Sequence, residues 1–258
     1  MEKKTIVIGI NSLTSAMFPA YTNHMQLMYK LGRQYKDKFE FVLCNPPRMS
    51  IDRMRNMAAE VALQINAAYL VFIDDDVIVP FNFLDNFLES IIKDEVGIVC
   101  GNVQIRGYPF DYMMFRWDEK KTGLFTLKEL PSKNEPFTVD AVGFSCVIID
   151  VEKVLRKVFK PFFITTANMT EDVTFCLRVQ NELPNVKMLC DPRVICGHIL
   201  WPEIISEFNR DIYTEYYEKH YPEEVAAYRN KEKQERDRGK QYYESLRSFE
   251  ECGALSET

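Results

Sequence analysis

Apolar positions in the first hundred residues switch repeatedly between two spacings. Residues 5–10 (TIVIGI) form a short β-branched run closed by Asn11, the pattern of an inner strand. From about 21 to 35 the spacing is helical, with Met25, Met28 and Leu31 expected on one side. Residues 39–44 (FEFVLC) return to strand and stop at Asn45-Pro46-Pro47. A helix is expected over about 50–66, capped by Ser50 or Asp52. Residues 69–73 (YLVFI) are apolar throughout, as a strand covered on both faces must be, and they run into Asp74-Asp75-Asp76. A helix over about 81–93 and a strand over 96–100 complete the series.

Strand and helix alternating in this way predict an α/β fold with a doubly wound, mostly parallel sheet. Right-handed crossovers then place the strand C-termini on one edge, where such sheets bind ligands. Residues 106–137 lose the rhythm and are expected to be loops over that edge. Residues 138–150 (TVDAVGFSCVIID) read as a strand, 151–159 and 170–180 as helices, and 186–196 as two short strands around Asp191-Pro192. From Glu203 the chain is charged, rich in Tyr and helical, with Pro222 separating two pieces and 251–258 fraying. The expected organisation is one α/β domain over 1–202 and a helical C-terminal extension over 203–258.

Composition narrows the function classes. A chain of 258 residues that is 47% hydrophobic and 27% charged buries one sizeable core and is not a disordered chain. With 32 basic against 38 acidic side chains, its net charge of -6 excludes a general polyanion coat. A local basic groove would have to come from Arg48, Arg53, Lys120, Lys121 and Lys133. No apolar run reaches the roughly 18 residues of a membrane span. Met1-Glu2-Lys3-Lys4 leads into the first strand without a cleavage signature, so no signal peptide is expected. Seven scattered cysteines, an odd number, suit reduced thiols and a cytoplasmic location.

The acidic triplet is the most informative local feature. Three carboxylates directly after a buried strand repel one another at the ligand edge. A divalent cation relieves that repulsion, and carboxylate oxygens suit Mg²⁺ or Mn²⁺. The plain alternative is a solvated turn that caps the next helix. Glu171-Asp172, at a helix start after Thr170, reads equally as a pair that stabilises the helix dipole. His198 alone reads as a structural hydrogen-bonding residue. Cys190, Cys196 and His198 lack the second close cysteine pair of a structural zinc site.

Four segments, taken in order, carry a resemblance: RMRNMAAEVALQINAAYLVFIDDD (53–76), AVGFSCVIID (141–150), TEDVTFCLR (170–178) and CDPRVICGH (190–198). Over about residues 5–200 the chain resembles the nucleotide-sugar-dependent glycosyltransferases of the GT-A fold, close to family 2 and its viral and bacterial relatives. The resemblance implies that Asp76 holds a metal, Mn²⁺ or Mg²⁺, on the donor diphosphate. Asp74 then contacts the ribose or joins the metal, and Asp75 is the variable middle residue of the Asp-x-Asp motif. Arg55 and Asn56 match the Arg-Asn pair that touches the nucleotide, and Asn11 sits where relatives touch the base. The usual Pro-Thr-Tyr-Asn and the aspartate after the second strand are missing, with Asn11 and Asn45 in their places. Asp172 becomes the general base for an inverting transfer, Glu171 holds sugar hydroxyls, and His198 is a third metal ligand. Trp201, just after that histidine, is the candidate acceptor contact.

The implied partners are a nucleotide-sugar donor and a hydroxyl acceptor: a glycan, a small molecule, a protein or a hydroxylated DNA base. Two rivals share the fold class. One is a catalytically silent sugar-nucleotide-binding protein. The other is a nucleotidyltransferase, which would release pyrophosphate.

Overall fold

The computed structural model describes residues 3–12, 17–121, 123–200, 203–234 and 236–237. The first part runs β1 (Lys4–Asn11), α1 (Phe18–Gln34), β2 (Phe39–Cys44), α2 (Ile51–Gln64), β3 (Tyr69–Asp74), β4 (Val77–Ile78), α3 (Phe83–Ile91) and β5 (Val96–Asn102). The second runs β6 (Tyr112–Trp117), β7 (Leu124–Leu127), β8 (Phe137–Val139), β9 (Ala141–Val142), β10 (Cys146–Asp150), α4 (Glu171–Glu182), β11 (Lys187–Ile195), β12 (Gly197–Leu200), β13 (Glu203–Ile205) and α5 (Arg210–His220). Residues 222–234 are helical again.

The central sheet has the order β2-β1-β3-β10-β5-β11-β8. β1 pairs in parallel with β2 and β3, and β5 with β11. β10 runs against both β3 and β5, and β8 against β11. The sheet is therefore mostly parallel, as expected, with two reversed strands. Its two faces are separate cores because successive side chains of a strand point to opposite sides. On β3, Leu70 and Phe72 face the layer formed with Ala58, Ala59 and Ala62 of α2 and Phe175 of α4. Tyr69, Val71 and Ile73 face Leu27 and Leu31 of α1 and Phe83 and Phe87 of α3.

Glycine at position 9 has a structural reason. A Cβ there would lie 3.0 Å from the Phe72 ring, so its absence lets that ring lie against β1. Phe72 then packs with Phe144 and Phe163, while Phe163 stacks on Phe175 at 4.6 Å. These rings form the floor of the site described below.

Several expectations change. The buried stripe of α1 is Ala20, His24, Leu27 and Leu31, and Met25 is 56% exposed. Helical spacing identified the helix, but an apolar side chain one position off the stripe points outward. Ser50 stands at the α2 N-cap position without a side-chain cap bond. Residues 106–137 are not only loops, since β6 and β7 pair and β6 also pairs with β9. The expected strand over 138–150 is three strands. β8 joins β11, β9 leaves for the small sheet, and β10 returns to the centre. Asp140 makes the first break, its carboxylate accepting from the Trp117 amide and from Gln180.

Past Asp150 only a single π-helical turn forms, Val151–Leu155. The two strands expected around Asp191 are one, β11, with a register shift between Asp191 and Ile195 where Arg193 folds back onto the Asp191 carboxylate. β12 pairs with β13 and β4, so a three-stranded sheet includes residues on both sides of position 202. Among the described residues no helix is long and apolar enough to cross a membrane. The six described cysteines are free, and five of them are buried.

Candidate functional site

Strand register builds the first half of the site. β1 and β3 end side by side, pairing Asn11 with Asp74. Asn11 is 2% exposed, yet among the described residues neither its Oδ1 nor its Nδ2 has a hydrogen-bond partner. An unpaired buried amide costs about 1–3 kcal/mol, so this side chain is suited to a group from outside the protein. Asp74 is fixed from the other side, its amide donating to the Ser145 carbonyl at 3.0 Å.

Arg55 lies under these residues on α2 and is 3% exposed. Its Nε donates to Glu171 Oε1 at 2.8 Å, its Nη1 to the Phe144 carbonyl at 3.1 Å, and its Nη2 to Asp74 Oδ1 at 3.2 Å. Its guanidinium also lies 5.2 Å from the Phe72 ring centre and 5.6 Å from that of Phe144. One buried cation thus joins the acid ending β3 to the acid opening α4. Burial lowers the guanidinium's pKa, but Asp74, Glu171 and Asp172 outweigh it and the net shift is upward. Burial pushes the Asp74 carboxyl up to about 6, against the pull of Arg55 and with the push of Asp76.

The neighbouring acids have different partners. Asp75 accepts from the Ser12 hydroxyl at 2.5 Å, and burial raises its pKa. Asp76 meets Arg106 Nη1 at 2.8 Å through Oδ2 and His198 Nε2 at 3.5 Å through Oδ1. Burial opposes its ionisation, but His198 and Arg106 outweigh burial and hold it below the ordinary carboxylate range. His198 arrives because β12 pairs with β4, directly after the triplet, and sets His198 opposite Val77. Its Nδ1 donates to the Gln104 carbonyl at 2.7 Å. With Nδ1 committed to that carbonyl, Nε2 is the ring nitrogen that faces Asp76.

At the start of α4, Thr170 stands at the N-cap position without a side-chain cap bond. Its hydroxyl instead donates to Asp172 Oδ1 at 2.5 Å, and the Val173 amide donates to the same oxygen at 2.8 Å. Among the described residues Asp172 Oδ2 has no hydrogen-bond partner. Beside this turn lies a cleft of about 450 Å³, lined by Phe115, Phe125, Met169, Thr170 and Tyr228 among others. A larger cleft of about 650 Å³ contains Trp117, Gln180 and Lys187 at the far end of α4 and holds none of these acids.

Asn56 is occupied elsewhere. Its Nδ2 donates to the Asp52 and Phe163 carbonyls, and its Oδ1 accepts from the Phe162 and Phe163 amides. Trp201 lies outside the described residues. Of the basic residues considered for a groove, Lys133 faces Glu207 at 4.0 Å and Lys121 lines the larger cleft. A second cation beside the triplet, more exposed than Arg55, is Arg106, which sequence reasoning missed. It sits in the stretch read as loops, where no spacing marks it.

Among the described residues no group of three or more His, Cys, Asp or Glu side chains is arranged to hold a metal ion. Asp76 Oδ1 and His198 Nε2 are two suitable donors, an oxygen and a nitrogen. They fit Mn²⁺ or Mg²⁺ if diphosphate oxygens complete the shell.

Residues 48–154 match the family described as Glycosyl transferase family 2. That segment holds Arg55, the triplet and Phe144. Among solved structures the chain is similar to A197 from STIV, at 21% identity and a TM-score of 0.51, covering 76% of this chain and 86% of that one. It is also similar to GalNAc-T7, solved with UDP, GalNAc and Mn²⁺, at 14% identity and a TM-score of 0.47. That likeness covers 77% of this chain and 44% of GalNAc-T7. No curated protein sequence matches the chain. The fold is GT-A, and within it residues 48–154, less than half of the chain, are similar to Glycosyl transferase family 2.

Proposed function

From this GT-A fold with its family 2 segment, we propose a metal-dependent, inverting transfer of a sugar from a nucleoside-diphosphate sugar to an acceptor hydroxyl. The observation that carries the reading is Arg55. Through one buried guanidinium it joins Asp74, from the triplet, to Glu171, which lies 116 residues beyond Arg55 in the chain. The acids that the resemblance assigns to donor and catalysis are thereby brought to one edge.

In this reading Asn11 receives the base through its unpaired amide, and Asp74 and Asp75 border the ribose and diphosphate. Asp76 and His198 would hold Mn²⁺ or Mg²⁺. When bound, such a cation offsets the charge growing on the departing diphosphate. Arg55 orients Asp74 and Glu171 from below. Asn56 fixes the backbone at 162–163, beneath the same floor. Asp172 takes the acceptor proton at Oδ2, while Thr170 and the Val173 amide hold Oδ1. The acceptor oxygen bonds to the anomeric carbon as the bond from that carbon to the diphosphate oxygen breaks. The electron pair leaves with the nucleoside diphosphate. The 450 Å³ cleft beside Thr170 offers an aromatic wall for the acceptor.

The test is a panel of nucleotide sugars with Mn²⁺, scored for nucleoside diphosphate release and transfer. Asp172→Asn should keep donor affinity within about twofold and melt as the wild type does. It should lose about 10²–10⁴ in transfer rate, the usual cost of a general base. A rate within about threefold of wild type, at saturating donor and acceptor, rejects Asp172 as the base.

A further inference from the structure

We infer that Arg106 is a diphosphate-binding residue: its guanidinium, held beside the triplet on an anchored loop, grips phosphate oxygens of a nucleoside diphosphate. The inference rests on the reading above and adds a residue that neither the resemblance nor the triplet assigns.

Arg106 is tied to the triplet by one nitrogen. Nη1 lies 2.8 Å from Asp76 Oδ2 while 46% of the side chain remains exposed. Among the described residues, Nε and Nη2 have no protein partner. The planar fork of this half-exposed side chain therefore keeps N–H donors free for a ligand, and a guanidinium fork suits phosphate oxygens. The other guanidinium touching these acids, Arg55, is buried with all three nitrogens engaged. A site containing Asp74, Asp75 and Asp76 repels a diphosphate unless positive charge stands in front of them, and Arg106 is a side chain placed there.

The loop carrying Arg106 is anchored at both ends. Before it, the Gln104 carbonyl accepts from His198 Nδ1, and the Ile105 amide donates to the Asp111 carbonyl at 2.8 Å. After it, Phe110 is fully buried against Tyr213 and Tyr217 of α5, with ring centres at 6.2 and 5.5 Å. Phe110 adopts a φ of 59°, a left-handed conformation that a bulky residue keeps only where packing enforces it. The guanidinium is thus presented from a braced turn, and little further ordering is needed on binding.

Binding of UDP and GDP to the full chain, in saturating Mn²⁺, tests this by calorimetry. Uridine and guanosine, followed by ligand-observed NMR, serve as phosphate-free counterparts. Arg106→Gln should weaken the diphosphate that binds by about 10- to 100-fold, the range of a hydrogen bond to a charged group. It should change nucleoside binding by less than about twofold. Arg106→Lys, which keeps the charge without the fork, should fall between. Unchanged diphosphate affinity overturns the inference, and so does an equal loss for diphosphate and nucleoside, which marks a merely structural role. Tighter diphosphate binding in Arg106→Gln also overturns it, because Arg106 would then only mask Asp76. A wild-type chain that binds neither of these, nor ADP, CDP or dTDP, removes the proposed function and this inference together. Failure in the variants alone removes only the role of Arg106.

Discussion

The half of the molecule built by β1 to β5 and the half that follows place their side chains by different means. In the first half position comes from register. Asn11 stands opposite Asp74 because β1 and β3 pair from Ile6 onward without a shift. In the second half position comes from contacts between distant segments. His198 is oriented by a carbonyl 94 residues away, and Arg106 rides on a turn pinned by two tyrosines of α5. Register fixes a side chain to within the pleat of a sheet, and a ladder of main-chain bonds must break to change it. A contact-built position depends on a few side chains, and one substitution can release it. The end at Asn11 and Asp74 is therefore the robust one, and the end near Asp76 and His198 is the one that mutation can tune.

The strongest way to break this comparison is Arg55→Met, because Arg55 belongs to the first half and takes Glu171 and the Phe144 carbonyl from the second. Its loss leaves Asp74 and Glu171 buried without their cation. Removing one partner of a buried ion pair costs about 3–5 kcal/mol. For a chain of this size that is a fall in melting temperature on the order of 10 °C. Calorimetry showing a loss below about 1 kcal/mol would mean that the two halves hold together without Arg55, since surface-type substitutions cost no more than that.

Asn56→Ala sharpens the comparison at a smaller scale. The Asn56 amide ties α2 to the backbone of Phe162 and Phe163, so stability should drop by about 1–3 kcal/mol in denaturant unfolding. Nucleoside diphosphate affinity should stay within about twofold. A tenfold loss of affinity would instead put Asn56 in the donor site, beside its neighbour in the Arg-Asn pair.

The smallest effect concerns α1. His24 Nε2 donates to the Val77 carbonyl at 2.9 Å, and burial holds its pKa below the ordinary value, against the raising pull of that bond and of Asp75 and Asp76. Folded His24 stays neutral where the unfolded chain takes up a proton. Its contribution is present above the unfolded pKa of about 6.5 and is lost as pH falls through the folded one. His24→Gln should therefore lose less stability than wild type between about pH 7.5 and 5.5. Parallel slopes for the two proteins would exclude His24 as the source.

Much of the first half was legible because burial there is written in short periods. The apolar run from Tyr69 to Ile73 announced a strand covered on both faces, and the triplet after it marked where that strand ends. The Glu171 helix start was also visible in a local pattern. The stretch over 138–150 was not. Its three strands look like one run, and only Asp140 bonding to Trp117 and Gln180 shows where the chain turns. Met25 misled for a related reason: apolarity alone does not say which side of a stripe a residue takes.

What the sequence alone determined is therefore the alternation of strand and helix, the mostly parallel sheet and the acids at its edge. Periods of two and of about 3.6 are local properties of a backbone that must bury one face. Only the tertiary structure decided that Arg55 joins Asp74 to Glu171, that β12 brings His198 to Asp76, and that Arg106 faces outward beside them. Those arrangements satisfy charges and hydrogen-bonding groups between segments far apart in the chain. Such pairings leave no local period, because any acid or base of the right reach meets the same need once folding has brought the segments together.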